Sequence, residues 1–322
     1  MTPQLTVILA TPGDWMVISK TVSHLVQQTL ASSIELLVVT PSRTDLNVPQ
    51  DALNDFAQLR VLETGSFRSI GRANAAGVRE ASSKIIVLAE DHCFPEPGWA
   101  AALLSAHEED YAAVGPAILN ANPATAVSWA DLLVGYGPWL APSYRREVEF
   151  LPGHNSSYKR DILLAYGDRL EEMMEAETVL HWDLRSKGAR LLLEPEALAA
   201  HTNFSLWGSL LRVQFFNGRT FAGSRVRHMS LSRRALYAVG SPLIPAVRLV
   251  RIVGQARRGG FFGQFLRCLH ALVPALILDG AGQFAGYLLG TGTADKRVAE
   301  FEFRRLDHIT PADRQRIFGS QA

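Results

Sequence analysis

Apolar positions in the first two hundred residues follow two patterns. Short continuous runs rich in Leu, Ile and Val occupy residues 5–10, 34–39, 59–62 and 84–88, bounded by turn formers such as Pro12-Gly13 and Pro41-Ser42. Runs of β-formers too short for a helix and closed by turn formers predict strands. Between the first two, Val17, Ile18, Val22, Leu25, Val26 and Leu30 recur at three- and four-residue spacing, and residues 69–82 form a small-residue helical stretch. Strands alternating with helices predict an α/β fold, a mostly parallel sheet with helices on both faces.

Further along, residues 100–107 read as a helix and residues 112–119 as another strand. Residues 120–146 are rich in Pro, Gly, Trp and Tyr with weak periodicity, the pattern of a long functional loop. A strand-like 148–151 then meets the turn Pro152-Gly153-His154-Asn155, and residues 160–166 return to helical spacing. Residues 168–188 predict one longer helix with an apolar stripe of Leu170, Met173, Met174, Leu180 and Leu184. Glu177 falls at the centre of that stripe and His181 one turn beyond it. An inward carboxylate is costly unless paired or beside a polar cavity, and one aimed at a cavity wall is what a catalytic base needs. The alternative is that Glu177 borders the stripe and reaches solvent on its flexible stem. Residues 190–195 and 197–202 complete the sheet and end at His201, a position that more often settles into ordinary hydrogen bonds than serves metal or phosphate contact.

Beyond residue 204 the pattern changes. Residues 209–227 are basic and aromatic, residues 236–253 are interrupted by Pro242 and Pro245, and residues 261–290 are apolar but carry Arg267, His270, Pro274 and Asp279. A net charge of +1 hides an asymmetry: residues 197–278 contain no Asp or Glu, yet hold eleven arginines. Those arginines are interleaved with long apolar runs, which argues against nucleic-acid binding. Residues 271–290 approach the roughly 20 needed to cross a bilayer, but a central Asp279 would cost about 2.5–3.5 kcal/mol there. The expectation is interfacial or hairpin-like helices on a cytoplasmic leaflet, arginines against anionic lipid. A soluble helical subdomain or a homo-oligomer interface is the alternative. Residues 293–322 are charged and soluble in character.

A chain of 322 residues with 48% hydrophobic content can build one large or two modest cores. Cys93 and Cys268 lie far apart in sequence, which argues against a disulfide framework and fits a reducing compartment. Met1-Thr2-Pro3-Gln4 leads straight into a strand-like run, so no signal peptide is expected.

The densest chemistry is Glu90-Asp91-His92, where the run at 84–88 drives into three metal-capable side chains before Pro95, Pro97 and Gly98 stop it. Ligands of open α/β sheets bind at the carboxyl ends of strands, and this set can hold a divalent cation and through it a diphosphate. No GxGxxG follows the first strand and no GxxxxGK[ST] occurs, which excludes a dinucleotide fingerprint and a P-loop; Gly65 to Gly71 is glycine-flanked with the wrong spacing.

Over residues 5 to about 205 this succession resembles a family 2 glycosyltransferase with the GT-A fold, that of nucleotide-diphospho-sugar transferases. Ile70-Gly71-Arg72-Ala73-Asn74-Ala75-Ala76-Gly77 resembles the family's helix beside the nucleotide diphosphate. Glu90-Asp91-His92 takes the place of its DxD metal motif, and Pro97-Gly98-Trp99 resembles the motif's trailer. Pro152-Gly153-His154-Asn155 resembles its acceptor-side turn, Glu177 its late acidic residue, and His201 the metal-binding His that some GT-A enzymes add. The resemblance implies Thr11, Asp14, Arg72, Asn74, Glu90 and Asp91 at the donor, and His154, Asn155 and His181 on the acceptor side. It implies a Mg²⁺ or Mn²⁺ cofactor at Asp91, His92 and His201, imidazole leaning to Mn²⁺, with Glu177 as general base. Two departures stand out: Glu-Asp-His replaces Asp-x-Asp, and Thr40-Pro41-Ser42 stands where the family has a base-reading acidic pair.

The implied function is transfer of a sugar from a nucleotide-sugar donor to a lipid-linked or glycan hydroxyl acceptor, in keeping with cell-envelope polysaccharide synthesis. The expected division is residues 1–205 for the transferase domain and 206–322 for a membrane-associating helical region. A GT-A module that binds sugar nucleotide or a protein partner without turnover is the competing reading, kept by those two departures. A sugar-nucleotide pyrophosphorylase lacks its Gly-rich N-terminal signature here.

Overall fold

In the computed structural model, which describes residues 2–49, 55–65, 69–175, 177–226 and 229–319, the runs at 5–10, 34–39 and 84–88 form the buried centre of one nine-stranded sheet and the run at 59–62 lies in its half-buried edge strand. Residues 66–68 of the glycine-flanked stretch, Ala176 in the expected long helix, Arg227 and the last three residues lie outside the described residues. Strands β1 (Leu5–Ala10), β2 (Ile34–Thr40), β3 (Gln58–Glu63) and β4 (Ile85–Ala89) lie parallel in the order β3-β2-β1-β4. β1 and β2 are buried along their whole length, which is why their sequences show no polar alternation. Helices α1 (Trp15–Val26), α2 (Arg43–Leu46) and α3 (Ile70–Glu80) make the crossovers.

Antiparallel strands continue the sheet. β5 (Cys93–Pro95) and helix α4 (Trp99–Ala106) follow the turn after β4, and β6 is Ala113–Asn120. β7 (Arg146–Glu147), β8 (Ser157–Lys159) and β9 (Leu191–His201) complete it, in the order β4-β8-β6-β9-β5 with β7 on β9. β8 was not legible in the pattern, and the strand expected at residues 148–151 is irregular backbone whose neighbour Arg146–Glu147 does the pairing. The two runs expected before His201 are one strand.

Helix α5 (Ala126–Tyr136) stands where a long loop was expected. Its start is capped by Thr125, whose hydroxyl accepts the Ser128 N–H at 3.1 Å. α6 is Arg160–Leu164. The helix expected over 168–188 is two: α7 (Leu170–Met174) and α8 (Glu177–Ser186). Leu170, Met173, Met174, Leu180 and Leu184 nevertheless all enter the core, with Ile8, Leu37, Val39 and Val78.

The chain divides into two compact units, residues 1–119 with 141–201, and residues 120–140 with 202–322. The second is helical: α5 joins α9 (Trp207–Arg225), α10 (Leu231–Gly240), α11 (Ile244–Arg258), α12 (Phe262–Leu289), α13 (Ala294–Phe303) and α14 (Pro311–Phe318). The glycines of α12 are packing surfaces: a Cβ on Gly282 would lie 2.9 Å from the Phe215 carbonyl carbon, so α9 and α12 meet backbone to backbone. Within this unit Asp131 is buried among donors, the Phe204 N–H at 3.0 Å, Gln214 Nε2 at 3.1 Å and Arg305 Nη1 at 3.4 Å. Burial outweighs these partners and pushes its carboxyl up to about 6.

Candidate active site and metal centre

The site grows from the end of β4. After Ala89 the chain turns through Glu90 and Asp91, and the Thr21 hydroxyl of α1 fixes that turn by donating to the Asp91 carbonyl at 2.9 Å. β5 then runs antiparallel to the end of β9 with Cys93 opposite His201. This register delivers His201, more than a hundred residues away in sequence, to the side of His92: the two rings meet edge to face with centroids 5.0 Å apart. Both imidazoles are buried, as are Glu90 and Asp91.

Glu90 is the hub. One carboxylate oxygen lies 3.5 Å from His92 Nε2 and 3.9 Å from His154 Nδ1; the other lies 3.5 Å from His201 Nε2 and accepts from Asn155 Nδ2 at 3.0 Å. Burial pushes this carboxyl up, but the combined field of His154, His92 and His201 outweighs it and holds the group well below the usual carboxylate range.

Glu90, His92 and His201 each offer a ligand atom, all within 4.8 Å of one another. His92 Nδ1 is hydrogen-bonded to Asp91 Oδ1 at 2.7 Å, which leaves Nε2 as the nitrogen turned to Glu90. Two imidazoles and a carboxylate suit a first-row divalent ion such as Mn²⁺ better than Mg²⁺, which takes oxygen ligands. The donor set therefore fits a divalent cation. Asp91, expected as a ligand, stands outside the cluster and orients His92, while Glu90, expected at the donor, is in it.

The opposite wall is the turn at 153–155. Asn155 adopts a left-handed backbone (φ 62°), donates its N–H to the Leu88 carbonyl at 2.6 Å and faces Glu90. His154 Nε2 lies 3.1 Å from Glu177 Oε1, so one imidazole bridges the cation cluster and Glu177. Glu177 opens α8, where the helix N-terminus favours a negative charge, and is partly exposed. It packs so closely on Gly153 that a Cβ there would fall 2.5 Å from its Cγ. Glu177 thus lies against the turn, beside His154 and Gly153.

His181 belongs elsewhere. It is fully buried, its Nδ1 accepts the Leu151 N–H at 3.4 Å and its Nε2 lies 2.9 Å from the Tyr158 hydroxyl, which in turn donates to the Gly153 carbonyl at 3.4 Å. Burial lowers its pKa to about 3, so it is a neutral strut for the turn and not an acceptor-side surface. Tyr158, its partner, was missed; only its position after the His154-Asn155 turn hinted at a role.

The remaining donor-side residues divide. Thr11 is buried at the end of β1 and its hydroxyl accepts the Gly13 N–H at 3.2 Å. Asp14 is exposed at the start of α1 and its side chain caps nothing. Arg72 is exposed in the first turn of α3, whereas Asn74, two residues on, is buried with Oδ1 unpartnered. At that spacing the two project to different sides of the helix, so they do not act as a pair.

Residues 6–167 match the family model described as Glycosyl transferase family 2. Glu177, His181 and His201 lie beyond the matched stretch. Among solved structures the chain is similar to S. aureus TarS 1-349 at 16% identity, covering 88% of this chain and 91% of that one, with a TM-score of 0.48. It is similar to the mannosyltransferase PcManGT from Pyrobaculum calidifontis, solved with GDP-Man and Mn²⁺, at 18% identity over 98% of this chain and 83% of that one (TM-score 0.45). GalNAc-T7, solved with UDP, GalNAc and Mn²⁺, matches at 16% identity over 62% of this chain (TM-score 0.46), and this chain spans 44% of its length. No curated protein matches the sequence.

Proposed function

The chain belongs to glycosyltransferase family 2, and on that premise we propose that it moves a sugar from a nucleotide-diphosphate donor to a hydroxyl acceptor, lipid-linked or on a growing glycan. The observation that carries the reading is the juxtaposition of the Glu90-His92-His201 cluster with Glu177 across the single imidazole of His154.

Glu90, His92 and His201 would hold a divalent cation, whose positive charge offsets that of a leaving diphosphate. Asp91 keeps His92 in the tautomer and orientation the cluster needs. Asn155 neutralises part of the buried Glu90 charge by donating to it and frees neither oxygen to swing away. Arg72, exposed at the start of α3, offers its guanidinium to the donor's phosphates. Glu177, partly open to solvent beside Gly153, takes the acceptor hydroxyl's proton as the hydroxyl oxygen attacks the anomeric carbon. His154, whose Nε2 lies 3.1 Å from it, keeps its carboxylate aimed at the turn.

On this reading residues 1–205 carry the transferase chemistry and residues 206–322 associate with the cytoplasmic face of a membrane. Two segments, Leu231–Arg258 and Phe262–Leu289, are long and apolar enough to cross a membrane by length and composition, and the acid-free arginine run supports attraction to anionic lipid.

The test is a thermal-shift panel of UDP, GDP, dTDP and CDP sugars with and without Mn²⁺. A ligand at 100 times its Kd adds roughly 2.7 kcal/mol. One nucleotide that stabilises only with Mn²⁺, and fails to do so in His201→Ala, names the base and supports the site; silence from every member overturns the reading.

A further inference from the structure

The face of the second unit formed by α10 and α11 carries apolar side chains that none of the described residues covers. Leu231, Leu236, Val239, Leu243, Val247 and Val250 are each between 47% and 80% exposed. From Leu236 onward they fall at spacings of three or four residues, so they form one stripe that continues from α10 through the 3-10 turn at Ser241–Leu243 into α11. The opposite side of the same two helices is packed, with Ala238, Ile252 and Ala256 buried.

The arginines sort by the same division. Arg248 points inward, pairing with Asp279 Oδ2 at 2.7 Å and donating to the Val134 carbonyl at 2.8 Å, and Arg234 donates to the carbonyls of Tyr287 and Leu288. Arg233, Arg251 and Arg258 are exposed, and none has a carboxylate partner among the described residues. They flank the stripe. A cavity of about 450 Å³ opens in this region between Arg233, Leu236, Tyr237, Gly240 and Ile244, apolar walls beneath a guanidinium.

We infer that the α10–α11 face is an interfacial membrane anchor: it lies in the plane of an anionic lipid surface, its stripe in the acyl boundary and Arg233, Arg251 and Arg258 at the phosphate level. Charge complementarity commits the face to this occupant, since helices without an acid that carry exposed Arg233, Arg251 and Arg258 beside an apolar stripe repel a second copy of themselves and fit lipid phosphates over hydrocarbon. Leu231–Arg258 is long enough to cross a bilayer, but its inner side is packed within the unit, with Ala238, Ile252 and Ala256 buried and Arg248 paired with Asp279, so the outer stripe is the part that meets lipid. The inference sharpens the membrane placement proposed above and does not depend on the transfer chemistry.

The experiment is co-sedimentation of the full chain, without donor, on phosphatidylcholine vesicles with and without phosphatidylglycerol. The expected result is binding that requires phosphatidylglycerol, weakens with salt and is released by alkaline carbonate. Leu236→Glu with Val250→Glu should lower partitioning at least about tenfold, since each apolar group no longer enters the acyl region. Arg251→Gln with Arg258→Gln should remove most of the phosphatidylglycerol preference. Unchanged melting temperatures show that the variants fold. Absence of binding, equal binding by wild type and the Glu variant, resistance to carbonate, or a wild-type dimer dissolved by the Glu variant would each overturn it. The donor thermal-shift panel on the same preparation reports the transferase site separately, so either reading can fail alone.

Discussion

Asn155 holds Glu90 by two bonds, its Nδ2 donating to the carboxylate at 3.0 Å and its Oδ1 accepting the Glu90 N–H at 3.4 Å. It does so from a left-handed backbone, which asparagine tolerates better than most residues. Asn155→Ala loses both bonds and keeps the strain, so it should destabilise the fold by about 1–3 kcal/mol with a further ~1 kcal/mol from the backbone. Asn155→Gly should recover the backbone part only. Asn155→Asp, which sets a second carboxylate against Glu90, should be the worst of the three. Urea denaturation ranks them; an alanine variant as stable as wild type would show that the turn does not depend on this pair.

Glu177 and Gly153 offer a matched pair of tests. Glu177→Gln keeps the shape and removes the base, so turnover should fall by roughly 10²–10⁴ with donor affinity nearly intact. Gly153→Ala leaves the carboxylate in place chemically but pushes it off the turn, because the new Cβ overlaps the Glu177 side chain. Its turnover should fall likewise while the melting temperature changes little, since Glu177 is partly exposed and can swing into solvent. Near-normal kcat in Glu177→Gln would remove Glu177 from the mechanism.

The parallel half of the fold was legible because β1, β2 and β4 are short runs rich in Leu, Ile and Val, and Glu90-Asp91-His92 was legible because it ends such a run. Other features depend on contacts that sequence periodicity does not encode. β8 has three residues, too few to show a period. α5 begins at a Thr cap inside a stretch whose Pro and Gly content reads as loop. The break before Glu177 leaves the apolar stripe intact on both sides, so one helix and two look alike until the backbone is seen. Which carboxylate joins the histidines was likewise undecidable from Glu-Asp-His alone. The β5–β9 register settles it by bringing His201 to Glu90.

Two buried histidines set an acid limit on stability. Burial lowers His181 to about 3 and His107 to about 4. In the unfolded chain both titrate near 6.5, so below that pH the unfolded state binds protons that the fold excludes. Their contribution is therefore complete above about pH 6.5 and is lost as the pH falls toward 4 and 3, at about 1.4 kcal/mol per pH unit for each group. At pH 5 the pair should cost about 4 kcal/mol relative to neutral pH. Urea midpoints measured across this range should show the slope, and His181→Gln should remove about half of it. A flat profile would mean that the imidazoles are protonated or solvated in the folded state.

The ion pair between Arg248 and Asp279 explains how an acid sits in the middle of an apolar helix. Asp279 is 5% exposed, and its Oδ2 receives Arg248 Nη1 at 2.7 Å and Gln283 Nε2 at 3.0 Å. Removing one member of a buried pair leaves an uncompensated charge, so Arg248→Met should cost about 3–5 kcal/mol. Replacing both, Arg248→Met with Asp279→Leu, removes the desolvation cost along with the attraction and should recover most of that loss. The double-mutant cycle therefore gives a large coupling, well beyond the ~0.5 kcal/mol usual for surface substitutions. If Arg248→Met proved as mild as a surface change, the ion pair would not be what accommodates Asp279 in the helix.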